Sequence, residues 1–200
     1  MSTVEQTELM RQIRDEIVGL VASPLYDERI ANMVHPVIGE GSHNAPVVFI
    51  GEAPGKNEAA TGRPFCGASG KVLDQLLEDV GLDRDAVYIT NIVKDRPPNN
   101  RDPKPAEIEI YAPFMDRQIE IIKPKIIATL GRFSMQYVMK RYGFEDQLES
   151  ISKAKGNVYE AQMSYGKVLI MPLYHPAVAV YNRNKYGELL DDFKKINDYL

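Results

Sequence analysis

Apolar and polar positions alternate with changing period along this chain, and each change marks an element. Over 4–22, "VEQTELMRQIRDEIVGLVA", Leu9, Ile13, Ile17 and Leu20 recur at helical spacing and predict an amphipathic helix over about 4–22. The run "PVVFI" at 46–50 has no polar alternate, is too short for a helix and stops at Gly51, so it predicts a buried strand entering a tight turn. "ASGKVLDQLLEDVGL" (68–82) returns to helical spacing, with Ser69 as the expected N-cap and Gly81 at its end. "AVYITNIV" (86–93) and "KIIATLG" (125–131) read as strands, and "RFSMQYVMKRYG" (132–143) as a helix. "AEIEIYAPFMDRQIEIIKP" (106–124) reads as mostly helix, with Pro113 early in it or kinking it. "NVYEAQMSYGKVLIMPLYHP" (157–176) predicts a hairpin-like pair of strands and "YGELLDDFKKINDYL" (186–200) a closing amphipathic helix. The segment 23–44 and the proline-rich "KDRPPNNRDPKP" (94–105) read as connections. Strands alternating with helices predict a layered α/β fold with a largely parallel sheet.

Composition narrows this picture. A chain of 200 residues with 44% apolar content is enough for one cored domain spanning 1–200. No apolar run reaches membrane-spanning length and no basic-then-apolar start is seen, so neither a membrane segment nor a secretory signal is expected. The single cysteine excludes an internal disulfide and any all-cysteine metal site within one chain, which fits an intracellular protein. A net charge of -4 exerts no global pull toward nucleic acid and leaves a local basic face open.

The candidate chemistry begins at 51–71, "GEAPGKNEAATGRPFCGASGK". A P-loop is excluded because Val72 follows Gly70-Lys71 and Phe65 occupies the position of the first glycine. The spacing of Gly51, Gly55, Gly67 and Gly70 also misses the dinucleotide fingerprint, and Glu52 would repel a pyrophosphate. A tight turn accounts for Gly51 and Gly55 but not for Glu52, Glu58, Arg63 and Phe65 in one loop. Two more polar clusters follow predicted strands: Asn91 with the basic loop of Lys94, Arg96 and Arg101, and His175-Pro176. An aromatic face stacks on a planar ring, an amide reads a donor–acceptor edge, an imidazole supports charge or moves a proton, and arginines grip phosphate. Together these suit a nucleobase on a polynucleotide. Taken singly, Phe65 reads as core, Asn91 as a turn residue and His175 as a strand-end cap; Cys66 reads as a small buried filler, and His35 and His43 as solvated.

"GEAPG", then "TGRPFCGASGKVL", then "VYITNIVKDRPPNNRDP", then "HPA" at 175–177 stand in the order of the uracil-DNA glycosylase superfamily, and the chain resembles its family 4 over about residues 20 to 182. The second stretch is similar to a Gly-x-Pro-Phe-Val-Gly-x-x-Gly run and the third to Thr-Asn-x-x-Lys-Cys-Arg-Pro-Pro-x-Asn-Arg. The resemblance implies a three-layer α/β/α sandwich around a central, mostly parallel four-stranded sheet. It implies hydrolysis of the N-glycosidic bond of uracil in DNA, leaving an abasic site for base excision repair.

Two departures from the family stand out. Family 4 holds a [4Fe–4S] cluster on four cysteines, whose positions fall here on Leu20, Ser23, Asp95 and Tyr111. No cluster, metal or other cofactor is therefore expected, and Asp95 is expected to pair with an arginine. The second is Ala59 after Glu58, where the family often has Glu-Asp.

By resemblance, His175, Glu52 and Asn91 are the expected catalytic residues, with Phe65, Ala53 and Glu58 completing base binding. Phe65 stacks, Asn91 reads O4 and N3, and His175 donates toward O2. Glu52 positions water or steadies the sugar cation, the backbone amides of Glu52 and Ala53 bind uracil, and Glu58 faces C5. Ser69, Lys71, Arg96 and Arg101 are expected at phosphates, and "PAVAVYN" near the gap left by a flipped base, with side chains smaller than a leucine wedge. The expected substrate is uracil-containing DNA, single- or double-stranded, met by a cytoplasmic monomer at the nucleoid. The alternatives are a binder of uracil or abasic DNA without turnover, or a glycosylase for hypoxanthine or xanthine, the latter motivated by Ala59. Covalent capture of the abasic sugar is not expected, since 94–105 holds no histidine.

Overall fold

The computed structural model describes residues 3–200. Helices α1 (Thr3–Val18) and α2 (Tyr26–Ala31) lead into strands β1 (Glu40–Gly41) and β2 (Val47–Gly51). Helices α3 (Lys56–Thr61) and α4 (Ala68–Asp79) precede β3 (Tyr88–Asn91), and α5 (Pro105–Ile122) precedes β4 (Ile126–Leu130). The chain continues through α6 (Arg132–Arg141), α7 (Ile151–Ala154), β5 (Tyr159–Met163), β6 (Gly166–Leu173), α8 (Ala177–Tyr181) and α9 (Tyr186–Lys194).

The strands form one six-stranded sheet in the order β1-β3-β2-β4-β6-β5. Its centre, β3-β2-β4-β6, is parallel, and β1 and β5 pair antiparallel at the two edges. The expected four-stranded sheet is thus the parallel middle of a larger one. β1 is only two residues long and lies in the stretch that reads as connection.

Every residue of β2 is buried. Val48 and Ile50 enter one core with Met10, Ile13 and Ile17 of α1, Met115 and Ile119 of α5, and Met135 of α6. Val47 and Phe49 enter the opposite core with Leu73, Leu76 and Leu77 of α4 and Leu189 and Phe193 of α9. Phe49 and Phe193 stack there with ring centroids 5.8 Å apart. A strand covered on both faces has no polar alternate, which is why this segment reads as a continuous apolar run. Each such side chain contributes about 1.5–3 kcal/mol on full burial. The result is three layers, helix, sheet and helix.

Several boundaries differ from expectation. α1 stops at Val18, and Leu20 packs on the same core from the turn beyond it. α2 and β1 interrupt the 23–44 connection, and α3 interrupts the 51–70 loop. Gly67, in extended backbone, is the N-cap of α4; Ser69 is already helical. α5 runs through Pro113, whose ring lies on an exposed face. His43 is partly buried, with Nδ1 3.1 Å from Thr7 Oγ1, and burial lowers its pKa. Cys66 is only partly buried. Among the described residues no helix is long and apolar enough to cross a membrane.

The chain leaves β2 toward α4 on one face and leaves β4 toward α6 on the other. Strand ends that send their connections to opposite faces open a crevice at the carboxyl edge of the sheet.

Candidate active site

A cleft of about 380 Å³ lies at that edge. Glu52, Ala53, Glu58, Phe65, Asn91 and His175, which the sequence places in three separate segments, all line it. Ser69 and Arg101 reach it as well, together with Pro97 and Asn100 of the proline-rich loop. Lys71 and Arg96 stand outside its lining; Lys71 is exposed on α4, and Arg96 Nε donates to Asn100 Oδ1 at 2.6 Å.

Two glycines make the cleft geometry. Gly51 ends β2 in register with Asn91 of β3. A Cβ at Gly51 would strike both the Asn91 amide oxygen and the Phe65 ring, so only glycine lets the two approach the strand end. Gly70 packs its Cα face against the Phe65 carbonyl, where a Cβ would collide outright. Phe65 itself adopts a left-handed backbone with φ 48°, a conformation a bulky residue holds only when its surroundings impose it. Its ring is buried and lies 5.5 Å from that of His175, with 31° between planes.

His175 follows β6. Its Nδ1 accepts a hydrogen bond from the Ala177 backbone N–H at 3.1 Å, so the neutral ring carries its proton on Nε2. Burial lowers its pKa to about 4, which keeps it neutral at physiological pH. Glu52 is shifted the other way. Burial raises its pKa to about 7, the charge of Asp102 adds to the effect and Arg132 opposes it. Glu58 Oε1 accepts from the Gly67 N–H at 3.3 Å and so ties α3 to the start of α4. Its neighbour Ala59 is fully buried and does not line the cleft.

The Asn91 side-chain amide makes no hydrogen bond with any described residue, while its backbone carbonyl accepts from Lys94 Nζ at 2.8 Å. Lys94 is therefore not part of a basic surface loop. It turns beneath the strand end and is fully buried, and burial drives its pKa well below the ordinary lysine value. Arg101 is not a free cation either: its guanidinium holds both carboxylate oxygens of Glu107, at 2.8 and 2.5 Å.

The family model of the uracil DNA glycosylase superfamily matches residues 38–200, a span that contains every cleft residue. The chain belongs to the uracil DNA glycosylase superfamily. Among its relatives, the type-4 uracil-DNA glycosylase of Sulfurisphaera tokodaii is 45% identical over 190 residues, covering 94% of this chain and 84% of that one. The type-4 uracil-DNA glycosylase of Archaeoglobus fulgidus is 45% identical over 184 residues, 92% of each chain. That of Thermotoga maritima is 36% identical over 197 residues, 96% of this chain and 95% of the other.

Of the four residues that the resemblance sets against the family 4 cluster ligands, Ser23, Asp95 and Tyr111 form one hydrogen-bonded group. Tyr111 Oη donates to Asp95 Oδ2 at 2.5 Å, and Ser23 Oγ lies 2.8 Å from Tyr111 Oη. The expected arginine partner of Asp95 is Arg29, whose Nη1 reaches both carboxylate oxygens at 3.1 Å. Arg29 also donates to the carbonyls of Ile17 at 3.1 Å and Val18 at 2.6 Å, capping the end of α1. Leu20 packs on the core that holds Tyr111. This set has no thiolate, and its polar atoms are spent on each other, so it does not fit an iron–sulfur cluster.

Sequence reasoning placed "PAVAVYN" near the flipped base without singling out Tyr181, and it did not single out Asn100. Tyr181, at the end of α8, is 89% exposed and lines the rim beside Val180. The segment after His175 therefore ends in a large aromatic side chain rather than only small ones; the tyrosine that closes the apolar run "AVAVY" was the available signal. Asn100 also lines the cleft, and both it and Asn99 take φ 54°, a conformation asparagine tolerates.

Proposed function

We propose that this chain is a uracil-DNA glycosylase that hydrolyses the N-glycosidic bond of a flipped deoxyuridine. The observation that carries the reading is the hydrogen bond from Ala177 N–H to His175 Nδ1, which leaves Nε2–H as a neutral donor in the cleft of Phe65 and Asn91. Flipping the nucleotide costs a few kcal/mol, least in single strands or mismatches. Phe65 then stacks on the base, and the otherwise unpaired Asn91 amide pairs with O4 and N3, rejecting cytosine, which presents a donor at that edge. The Glu52 and Ala53 amides complete the base contacts.

As the N1–C1′ bond breaks, its electron pair passes to uracil and positive charge develops on the sugar. His175 Nε2–H donates to O2 and stabilises the leaving anion without transferring its proton. Glu52 in its ionised form faces the sugar cation and takes the proton of the water whose oxygen bonds to C1′. Glu58 stands toward C5 and opposes the thymine methyl. Ser69, Lys71 and Arg96 contact phosphates, with Arg101 a weaker contributor because Glu107 already neutralises it. Tyr181 enters the stack beside the flipped nucleotide. The enzyme works as a cluster-free monomer on DNA inside the cell, and the purified protein is expected to be colourless, iron-free and without absorbance near about 400 nm.

Labelled single- and double-stranded oligonucleotides carrying one uracil, treated with alkali after incubation, test this. Cleavage should fall about 10²–10³-fold in His175→Ala and comparably in Asn91→Ala. Selective retention of uracil DNA without cleavage would instead identify a binding protein. Release of hypoxanthine or xanthine but not uracil would identify a different glycosylase, although Ala59, buried away from the cleft, no longer motivates that reading.

A further inference from the structure

Lys94 is the one fully buried lysine among the described residues, and the mechanism above leaves it unused. Three oxygens surround its Nζ at hydrogen-bond distance: Thr90 Oγ1 at 2.7 Å, Gln118 Oε1 at 2.7 Å and the Asn91 carbonyl at 2.8 Å. The Ile38 carbonyl lies farther off at 3.3 Å.

The hydrogens of these neighbours are already engaged elsewhere. Thr90 Oγ1 donates to the Ile38 carbonyl at 2.8 Å. Gln118 Nε2 donates to the same carbonyl and to Tyr88 Oη, each at 3.0 Å, which turns its Oε1 toward Lys94. All three near groups therefore present lone pairs to Nζ. A neutral amine has two N–H donors and would aim its own lone pair at the third oxygen. An ammonium has three donors for three acceptors. The hydrogen-bond pattern thus favours the cation, against the desolvation that disfavours it. No carboxylate of the described residues forms an ion pair with it, so the charge is balanced by dipoles alone.

We propose that Lys94 is a positioning residue for base release: as a buried ammonium it pins the Asn91 peptide and sets an uncompensated positive charge behind the base-reading amide. This rests on the glycosylase reading. Asn91 is the last residue of β3, and Lys94 curls back three residues to hold its carbonyl, so the backbone from which the amide projects is fixed at the strand end. Uracil gains negative charge only as the glycosidic bond breaks. A fixed positive charge in a medium of low dielectric therefore favours the transition state over the bound substrate. Retaining an unpaired buried charge is costly, and such groups concentrate at functional sites.

The test compares single-stranded DNA carrying 2′-deoxyuridine with the same DNA carrying 5-fluoro-2′-deoxyuridine, whose base is the more acidic leaving group. Lys94→Met keeps an unbranched apolar stem, one heavy atom shorter, and removes the charge and donors. Its kcat on uracil is expected to fall about 10- to 100-fold, with KM changed by less than about threefold. The loss on 5-fluorouracil is expected to be several-fold smaller, because fluorine already stabilises the departing anion. Thr90→Val, which removes one acceptor of the ammonium in a near-isosteric side chain, is expected to shift the ratio of the two rates in the same direction by a smaller factor. It keeps the comparison available if Lys94→Met does not fold. Equal losses on both bases in these variants, or a loss carried by KM, would overturn the proposal while leaving the glycosylase intact. Failure of the unmodified protein to release either base would overturn the glycosylase reading, and this proposal with it.

Discussion

Varying pH between 6 and 8 separates Glu52 from His175. Its carboxyl is raised from 4.5 to about 7, first by burial, then by the charge of Asp102, with Arg132 pulling it back. His175, lowered to about 4, stays neutral across the same window. If the ionised carboxylate takes the proton of the attacking water, the rate follows its ionised fraction. That fraction is about 9% at pH 6, about 50% at pH 7 and about 91% at pH 8. The expected rise in kcat/KM is therefore about tenfold from pH 6 to pH 8, approaching unit slope on the acid side. kcat/KM on single-stranded uracil DNA is the right quantity because it reports the free enzyme. Ionic strength must be held constant, since DNA affinity falls steeply with salt. Asp102→Asn should move the inflection to lower pH and Arg132→Gln to higher pH, as the two charges require. A flat profile, or an inflection that survives in Glu52→Gln, would refute the assignment of Glu52 as the ionising group.

The same shift has a consequence for stability. The folded-state pKa of Glu52 lies above its unfolded value, so the native protein binds more protons between pH 4.5 and about 7 and loses stability as pH rises through that window; Glu52→Gln should melt higher than the unmodified protein at pH 8 and alike at pH 4. Gly70→Ala should cost about 1–3 kcal/mol in urea unfolding and displace Phe65 from the base, lowering kcat/KM by about 10²-fold. Arg29→Met leaves Asp95 buried without its cation and should destabilise the protein by about 3–5 kcal/mol, read from the urea midpoint, with no dependence on added iron. Tyr181→Ala, at an exposed rim position, should leave the melting temperature unchanged, slow the reaction on duplex DNA about tenfold and spare single strands, measured on matched oligonucleotides.

Much of the fold is legible in the sequence because the central strands are hidden on both faces. Val47 to Ile50 must be apolar whichever way each side chain points, and that necessity is visible as a run. The edges lack such a signal. β1 consists of Glu40 and Gly41, and its pairing with Ile89 and Tyr88 rests on backbone hydrogen bonds, with no apolar side chain to mark it; Gly41, at φ 118°, sits where a Cβ would strike the Val87 carbonyl, a need the sequence shows only as one more loop glycine. α3 is hidden for a related reason. "KNEAAT" is short and bounded by Gly55 and Gly62, so glycine spacing dominates its local pattern and the segment reads as loop.

The cleft was legible for a different reason: residue types that are poor choices for a turn stand at the strand ends that line it. Glu52 and Phe65 gain nothing from a glycine-rich turn, and Phe65 is held there at positive φ by Gly51 and Gly70, which leave the room its ring and carbonyl require. What stayed illegible is the direction in which a charged side chain turns. Lys94, Arg96 and Arg101 look alike along the chain, yet one is buried under Asn91, one holds Asn100 and one is neutralised by Glu107. The partners decide, and they come from elsewhere in the fold. Gln118 lies 24 residues from Lys94 in α5, and Arg29 lies 66 residues before Asp95 in α2. A buried charge is tolerated only where the finished tertiary structure delivers its acceptors or its counter-ion. Local pattern can therefore locate a charged residue in such a loop, but only the assembled sheet and helices determine whether it meets DNA, a neighbouring carboxylate or the underside of the site.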